Sequence, residues 1–257
     1  MIEIKNISFN YSAKKALSDV SFKIERGEKV IILGVNGCGK STLLKILNGL
    51  IFPNHGEYFF SGNKIDKSSL HIKQFNQAFR TQVVYQFQNP EVMLFNPTVF
   101  DEIAFGPRQL SMNNVEEKVN LWAERFGISA ILNLPPFQLS GGEKQKVCLA
   151  SIFVMEPEVI LLDEPTSYLD PKTTGWFVDF LYEIDKTVII STHNLSLAAE
   201  LGERAIILSP EHKKIYDGDI NKMIENDNIL LEANLVHTHS HKKNESSQKK
   251  YHIHNWY

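Results

Sequence analysis

Eight residues constrain this chain more than any others: Gly34 to Ser41, GVNGCGKS, which fit the pattern G-x-x-x-x-G-K-[ST]. A β-branched run, VIIL, precedes them, and an apolar-periodic stretch from Ser41 to Leu50 follows. This is the order strand, loop, helix. Three glycines, Gly34, Gly37 and Gly39, let the backbone turn tightly, so that its N–H groups and the helix N-terminus converge on phosphate oxygens. Lys40 adds a cation for the outer phosphates and Ser41 a hydroxyl that suits Mg²⁺. Asn36, Cys38 and Thr42 complete the loop's expected nucleotide contacts.

Beyond the loop, short β-rich runs alternate with helical stretches. KVIILG, QVVYQF, VILLD, TVIIS and RAIIL read as strands; Thr173 to Ile184 and Leu195 to Gly202 read as helices. The alternation predicts an α/β fold with a mainly parallel sheet, and the N-terminal MIEIKNISFNY adds an antiparallel β region. From about Asn89 to Glu156 the strand signal gives way to helical segments, Val99 to Ala104, Val115 to Phe126 and Gly142 to Met155, punctuated by Pro97, Pro107, Pro135 and Pro136. We read this as a helical subdomain (89–156) inserted into one domain spanning 1–236. The N-terminus lacks a basic n-region and an apolar h-region, so no secretory signal is expected. Apolar runs such as Val30 to Leu33 fall far short of the ~20 residues that a spanning helix needs. A net charge of -3 argues against bulk electrostatic attraction to nucleic acid. The two cysteines, Cys38 and Cys148, form no disulfide framework or zinc pattern.

Two further motifs carry chemistry. VILLDEPT, Val159 to Thr166, is a buried-type strand ending in two acids. Asp163 is placed to reach a metal held by Ser41, and the adjacent Glu164 to polarise an attacking water. LSGGEKQK, Leu139 to Lys146, opens a helix: Ser140, Gly141 and Gly142 put a hydroxyl and bare amides at its N-terminus, a second anion site. The same residues spell a capping box, with Glu143 three positions after Ser140, and both readings can hold together.

With the phosphate loop, Gln88 after QVVYQF, LSGGE, LLDEPT, SYLD at Ser167 to Asp170 and STHN with His193 following one another in that order, the chain resembles the ABC ATPases from about Met1 to Gly218. The resemblance implies an ATPase that works as a head-to-tail dimer with itself or with a related cassette. Each ATP would lie between Lys40 of one subunit and Ser140 and Gly142 of the other. It implies further that Gln88 contacts Mg²⁺ and the lytic water and senses a membrane partner. His193 would hold the γ-phosphate, Asp170 would communicate across the dimer, and Tyr11 would stack on adenine. Local alternatives stay open for two of these: Tyr11 as a strand-end tyrosine packing on the core, and His193 as a helix cap.

Phe87 to Leu110, FQNPEVMLFNPTVFDEIAFGPRQL, is similar to the ATPases of energy-coupling factor (ECF) importers, and with LSGGEK to their cobalt/nickel branch. That group often carries a polar residue where Met93 stands here, and a small one where Tyr168 stands. The resemblance implies an integral membrane coupling subunit and a substrate-binding membrane subunit as partners, no nucleic acid, and a place at the cytoplasmic face of the membrane. The last 21 residues, 237–257, hold five of the nine histidines, four lysines and one acid. A polar tail of this kind is expected to be a mobile extension. His237, His239 and His241 alternate, so that an extended chain puts them on one face, as Ni²⁺ or Co²⁺ ligation requires. A solvated tail without a ligand is the other reading. Competing functions are the motor of a vitamin importer and a non-transport ABC ATPase. The hundred residues from Lys40 to Ser140 leave no room for the coiled coil that the latter usually carries.

Overall fold

The computed structural model describes residues 1–239 and 250–252. Its strands are β1 (Ile2–Tyr11), β2 (Lys14–Ile24), β3 (Lys29–Leu33), β4 (His55–Phe60), β5 (Asn63–Lys64), β6 (Val83–Gln86), β7 (Val159–Asp163), β8 (Thr187–Thr192), β9 (Arg204–Leu208), β10 (Lys214–Asp219), β11 (His237–His239) and β12 (Lys250–His252). The helices are α1 (Lys40–Leu47), α2 (Lys67–His71), α3 (Lys73–Gln82), α4 (Val99–Gln109), α5 (Val115–Arg125), α6 (Gly141–Phe153), α7 (Pro171–Glu183), α8 (Leu195–Leu201), α9 (Ile220–Ile224) and α10 (Asp227–Glu232).

Six strands form one sheet in the order β10-β9-β3-β8-β7-β6, parallel except for β10. Alternation along a strand sends neighbours to opposite faces, and both faces are covered. Ile31 and Leu33 join Ile160, Leu162, Val188 and Ile190 in a core shared with the helices after β6. Val30 and Ile32 join Val159, Leu161 and Ile189 in a second core with α1 and an antiparallel sheet, β2-β1-β4-β5. Burial on both faces is why these strands read as unbroken apolar runs.

Between β6 and β7 the chain carries only helical segments among the described residues. They are centred on an aromatic cluster in which Trp122 stacks on Phe153 and Phe126 meets Phe180 edge-on. One sequence expectation is corrected here. Pro107 does not punctuate at once but lies inside α4, buried; it removes the N–H that would bond the Ile103 carbonyl and crowds that carbonyl, and the helix ends two residues later at Gln109. The polar pair α2 and α3 went unread in the sequence; Asp66 caps α2 in a capping box with Ser69. In the β11–β12 register the backbone of His237 pairs with that of His252, whereas His241 lies outside the described residues.

Candidate functional site

Parallel strands deliver their carboxyl ends to one edge, and loops at that edge carry the chemistry in open α/β sheets. Here β3, β8, β7 and β6 are consecutive neighbours, with Leu33 beside Thr192, Asp163 beside Ser191 and Gln86 beside Leu162. The residues that follow these ends are the phosphate loop, His193, Glu164 and Gln88. One topology therefore gathers four motifs separated by more than a hundred residues.

In the loop, Gly34, Gly37 and Gly39 have φ of 150°, 85° and 116°. A Cβ on Gly39 would lie 2.2 Å from the Ala16 carbonyl oxygen, so only glycine fits there. Helix α1 starts without a side-chain cap, which leaves its first N–H groups free for an anion. A cavity of about 260 Å³ is lined by Asn36, Gly37, Gly39, Lys40, Ser41, Thr42, Gln88 and Glu164. Gly34 and Cys38 do not line it. Cys38 is buried beneath the loop, and burial pushes its thiol above the ordinary range, so it acts as packing.

Lys40 and Glu164 are both almost fully buried. Lys40 Nζ donates to the Gly34 carbonyl at 2.7 Å and lies 3.6 Å from Glu164 Oε1. Glu164 adopts φ 49°, left-handed for a non-glycine residue. Its backbone turns there, so that it and Asp163 diverge. Glu164 Oε1 lies 2.9 Å from His193 Nδ1, and this hydrogen bond raises the imidazole above its ordinary value. Asp163 turns instead toward Ser191 Oγ at 2.5 Å and Tyr85 Oη at 2.9 Å, both of which donate to it. Burial, helped by the Asp163 carboxylate, pushes the Tyr85 phenol up, so it stays a proton donor. Sequence reasoning missed Tyr85 and Ser191; a hydroxyl within an otherwise apolar strand was the available signal.

Ser41, Gln88 and Asp163 share a second, adjoining cavity with Tyr85 and Tyr168. A hydroxyl, an amide oxygen and a carboxylate are all hard oxygen donors, the set that Mg²⁺ takes.

Ser140, Gly141, Gly142 and Asp170 line neither cavity. Ser140 caps α6, accepting from the Glu143 N–H, while the Glu143 carboxylate accepts from the Ser140 N–H at 2.9 Å and from its hydroxyl at 2.7 Å. These bonds hold the Glu143 carboxyl below its usual range. Asp170 caps α7 by accepting from Thr173 N–H and Oγ, which lowers its carboxyl in the same way. Tyr11 ends β1 about half exposed, edge-on to Phe9 at 4.8 Å. A separate concavity is lined mainly by apolar side chains, Met93, Leu94, Phe95 and Phe105, together with Glu102, and Phe95 is exposed.

The family model for ABC transporters matches residues 17–167. The chain belongs to the ABC transporter ATP-binding family. It is 40% identical over 241 residues to the energy-coupling factor transporter ATP-binding protein EcfA of Methanothermobacter thermautotrophicus, covering 91% of this chain and 76% of that protein. It is 39% identical to the nickel import ATP-binding protein NikO of Rhodobacter capsulatus, covering 80% of this chain and 84% of that protein. Among solved structures, the dimeric ABC transporter cassette MJ0796 superposes with a TM-score of 0.76 at 28% identity, covering 86% of this chain and 99% of that one. The cassette is an ATPase, and no helix among its described residues is long and apolar enough to cross a membrane.

Proposed function

We propose that this cassette is the motor of an ECF-type importer for a transition metal, nickel or cobalt, working as a dimer that closes ATP between Lys40 of one subunit and Ser140 to Gly142 of the other. The observation that carries the site reading is the convergence of the phosphate loop, Gln88, Glu164 and His193 at one sheet edge, while the residues of the capped α6 N-terminus line neither cavity there. One chain then holds two half-sites, and a second cassette joins them. The likeness to NikO and the Phe87–Leu110 stretch support the metal reading.

In this mechanism the free N–H groups of α1 and the loop, with Lys40, take the phosphates. Glu164 accepts a hydrogen bond from the attacking water and polarises it toward the γ-phosphorus. His193, held by Glu164, aims its other ring nitrogen at the γ-phosphate. Ser41, Gln88 and Asp163 would hold Mg²⁺, which neutralises developing charge on the phosphates when bound. Asp163 is kept in place by Ser191 and Tyr85. Asp170 sits at the dimer face. The helices between β6 and β7 form a subdomain (89–156) whose Met93–Phe105 concavity receives the membrane coupling subunit. The tail histidines His237, His239 and His241 belong to the metal reading as a separate ligand set.

The test is reconstitution of the cassette with its membrane partners in vesicles. ATP-dependent uptake of Ni²⁺ or Co²⁺ is expected, and uptake of a vitamin without either metal overturns the substrate assignment.

Two effects follow from the site. Tyr11→Ala is expected to weaken ATP binding about 2- to 12-fold, the range of a lost aromatic contact worth about 0.5–1.5 kcal/mol, with affinity for inorganic triphosphate unchanged. The second concerns pH. His193 is raised in the folded state, so its contribution to stability is complete below the ordinary value of about 6.5 and is lost as pH rises through the raised one. His193→Ala should therefore lower the melting temperature more at about pH 6 than at about pH 9. With the side chain 46% exposed, solvent screening keeps the difference under ~1 kcal/mol. A penalty that grows with pH would contradict the His193–Glu164 pairing.

A further inference from the structure

One contact to the phosphate loop comes from a segment that none of the motifs includes. The turn between β9 and β10 carries His212, whose Nδ1 lies 3.2 Å from the Cys38 carbonyl oxygen. A carbonyl oxygen only accepts, so the ring must carry its proton on Nδ1 there. His212 is anchored from two further sides: its carbonyl accepts from Ser18 N–H at 2.8 Å, on β2, and its own N–H donates to the Ser209 carbonyl at 2.9 Å. Its φ is 67°, a left-handed conformation rare for residues other than glycine and asparagine, although histidine is among those that enter it more often.

The geometry of the Cys38–Gly39 peptide gives this contact its meaning. The described chain has no cis peptide bond. In a trans peptide the carbonyl of one residue and the N–H of the next point in opposite directions. A hydrogen bond that holds the Cys38 carbonyl toward His212 therefore turns the Gly39 N–H to the opposite side. Gly39 lines the phosphate cavity, and its N–H finds no protein acceptor among the described residues. At φ 116° Gly39 has no Cβ to hold that peptide plane in place. Something outside the loop has to do so.

We propose that His212 is a positioning residue for nucleotide binding: by holding the Cys38 carbonyl it sets the Cys38–Gly39 peptide plane and aims the Gly39 N–H at the phosphates. The inference rests on the reading of the loop as an ATP site.

Three variants separate the side chain from the backbone it sits on. Glycine accepts φ 67° but donates nothing; asparagine accepts the same φ and offers an amide N–H near the position of Nδ1; alanine does neither. MgATP affinity is measured by calorimetry and folding by thermal unfolding. His212→Gly is expected to bind MgATP about fivefold more weakly, the worth of one ordinary hydrogen bond, and to bind adenosine as the wild type does. His212→Asn is expected to recover most of the loss, and His212→Ala to lose affinity and melting temperature together. Wild-type affinity in His212→Gly, or equal losses in the glycine and asparagine variants, overturns the proposal. A wild-type protein that binds no MgATP overturns instead the ATP-site reading, before any variant is compared.

Discussion

Glu164→Gln lowers ATP turnover by about 10³-fold while MgATP affinity is kept, within the 10²–10⁴ range expected for loss of a positioned general base. The substitution changes charge and basicity with almost no change in shape. Glu164 is buried, turned out of β7 at φ 49°, and oriented by His193 at 2.9 Å. A glutamine in the same place can still meet the imidazole but no longer polarises water as a carboxylate does. Lys40 keeps its bond to the Gly34 carbonyl at 2.7 Å, so the phosphate cradle survives. With binding intact and chemistry blocked, ATP holds the two cassettes together, and the variant runs as a dimer in size-exclusion chromatography only when ATP is present. Phosphate release above about a tenth of the wild-type rate would remove Glu164 from the role of base, since less than tenfold is below what general-base loss costs.

The strands, the loop and the acidic pair were legible because each is written in contiguous residues. VIIL, VILLD and TVIIS are apolar because both sheet faces are covered, and that leaves a local mark. What was not legible depends on contacts between distant segments. Tyr85 and Ser191 lie on the strands that flank β7, so their hold on Asp163 exists only once β6, β7 and β8 are in register. His212 reaches Cys38 across 174 positions, and nothing in the turn sequence SPEHKK signals it. The pair α2 and α3 bury few side chains, chiefly Leu70 and Phe79. Helix α2 is only five residues long, and in α3 the helical spacing of Phe75 and Phe79 was there to be read but lay within a mostly polar stretch. Pro107 misled in a smaller way: proline marks a helix boundary by rule, and here α4 runs two residues past it, to Gln109, before it ends.

The proposed division of the site between two chains leads to the second large effect. Lys40→Ala and Gly142→Asp should each reduce ATPase activity by about 10² or more when alone, the cost of removing a charge-stabilising contact or of setting a carboxylate against a phosphate. Gly142 is the better place for the second lesion, because a Cβ there meets only the Tyr168 carbonyl oxygen at an ordinary 3.8 Å, so the fold tolerates the change. In a head-to-tail dimer each site takes its loop from one subunit and its α6 N-terminus from the other. A mixed dimer of the two variants therefore has one site with both lesions and one with neither. If the two proteins are mixed equally and pair at random, half of the dimers are mixed and one site in each is whole. Activity should then return to about a quarter of the wild-type value, by the symmetry of the pairing alone. If each chain held a complete site, every site in the mixture would carry one lesion and activity would stay at the level of the separate variants. The outcome turns on whether the α6 N-terminus serves its own loop or its partner's. Its absence from both cavities that Ser41 lines favours the partner's.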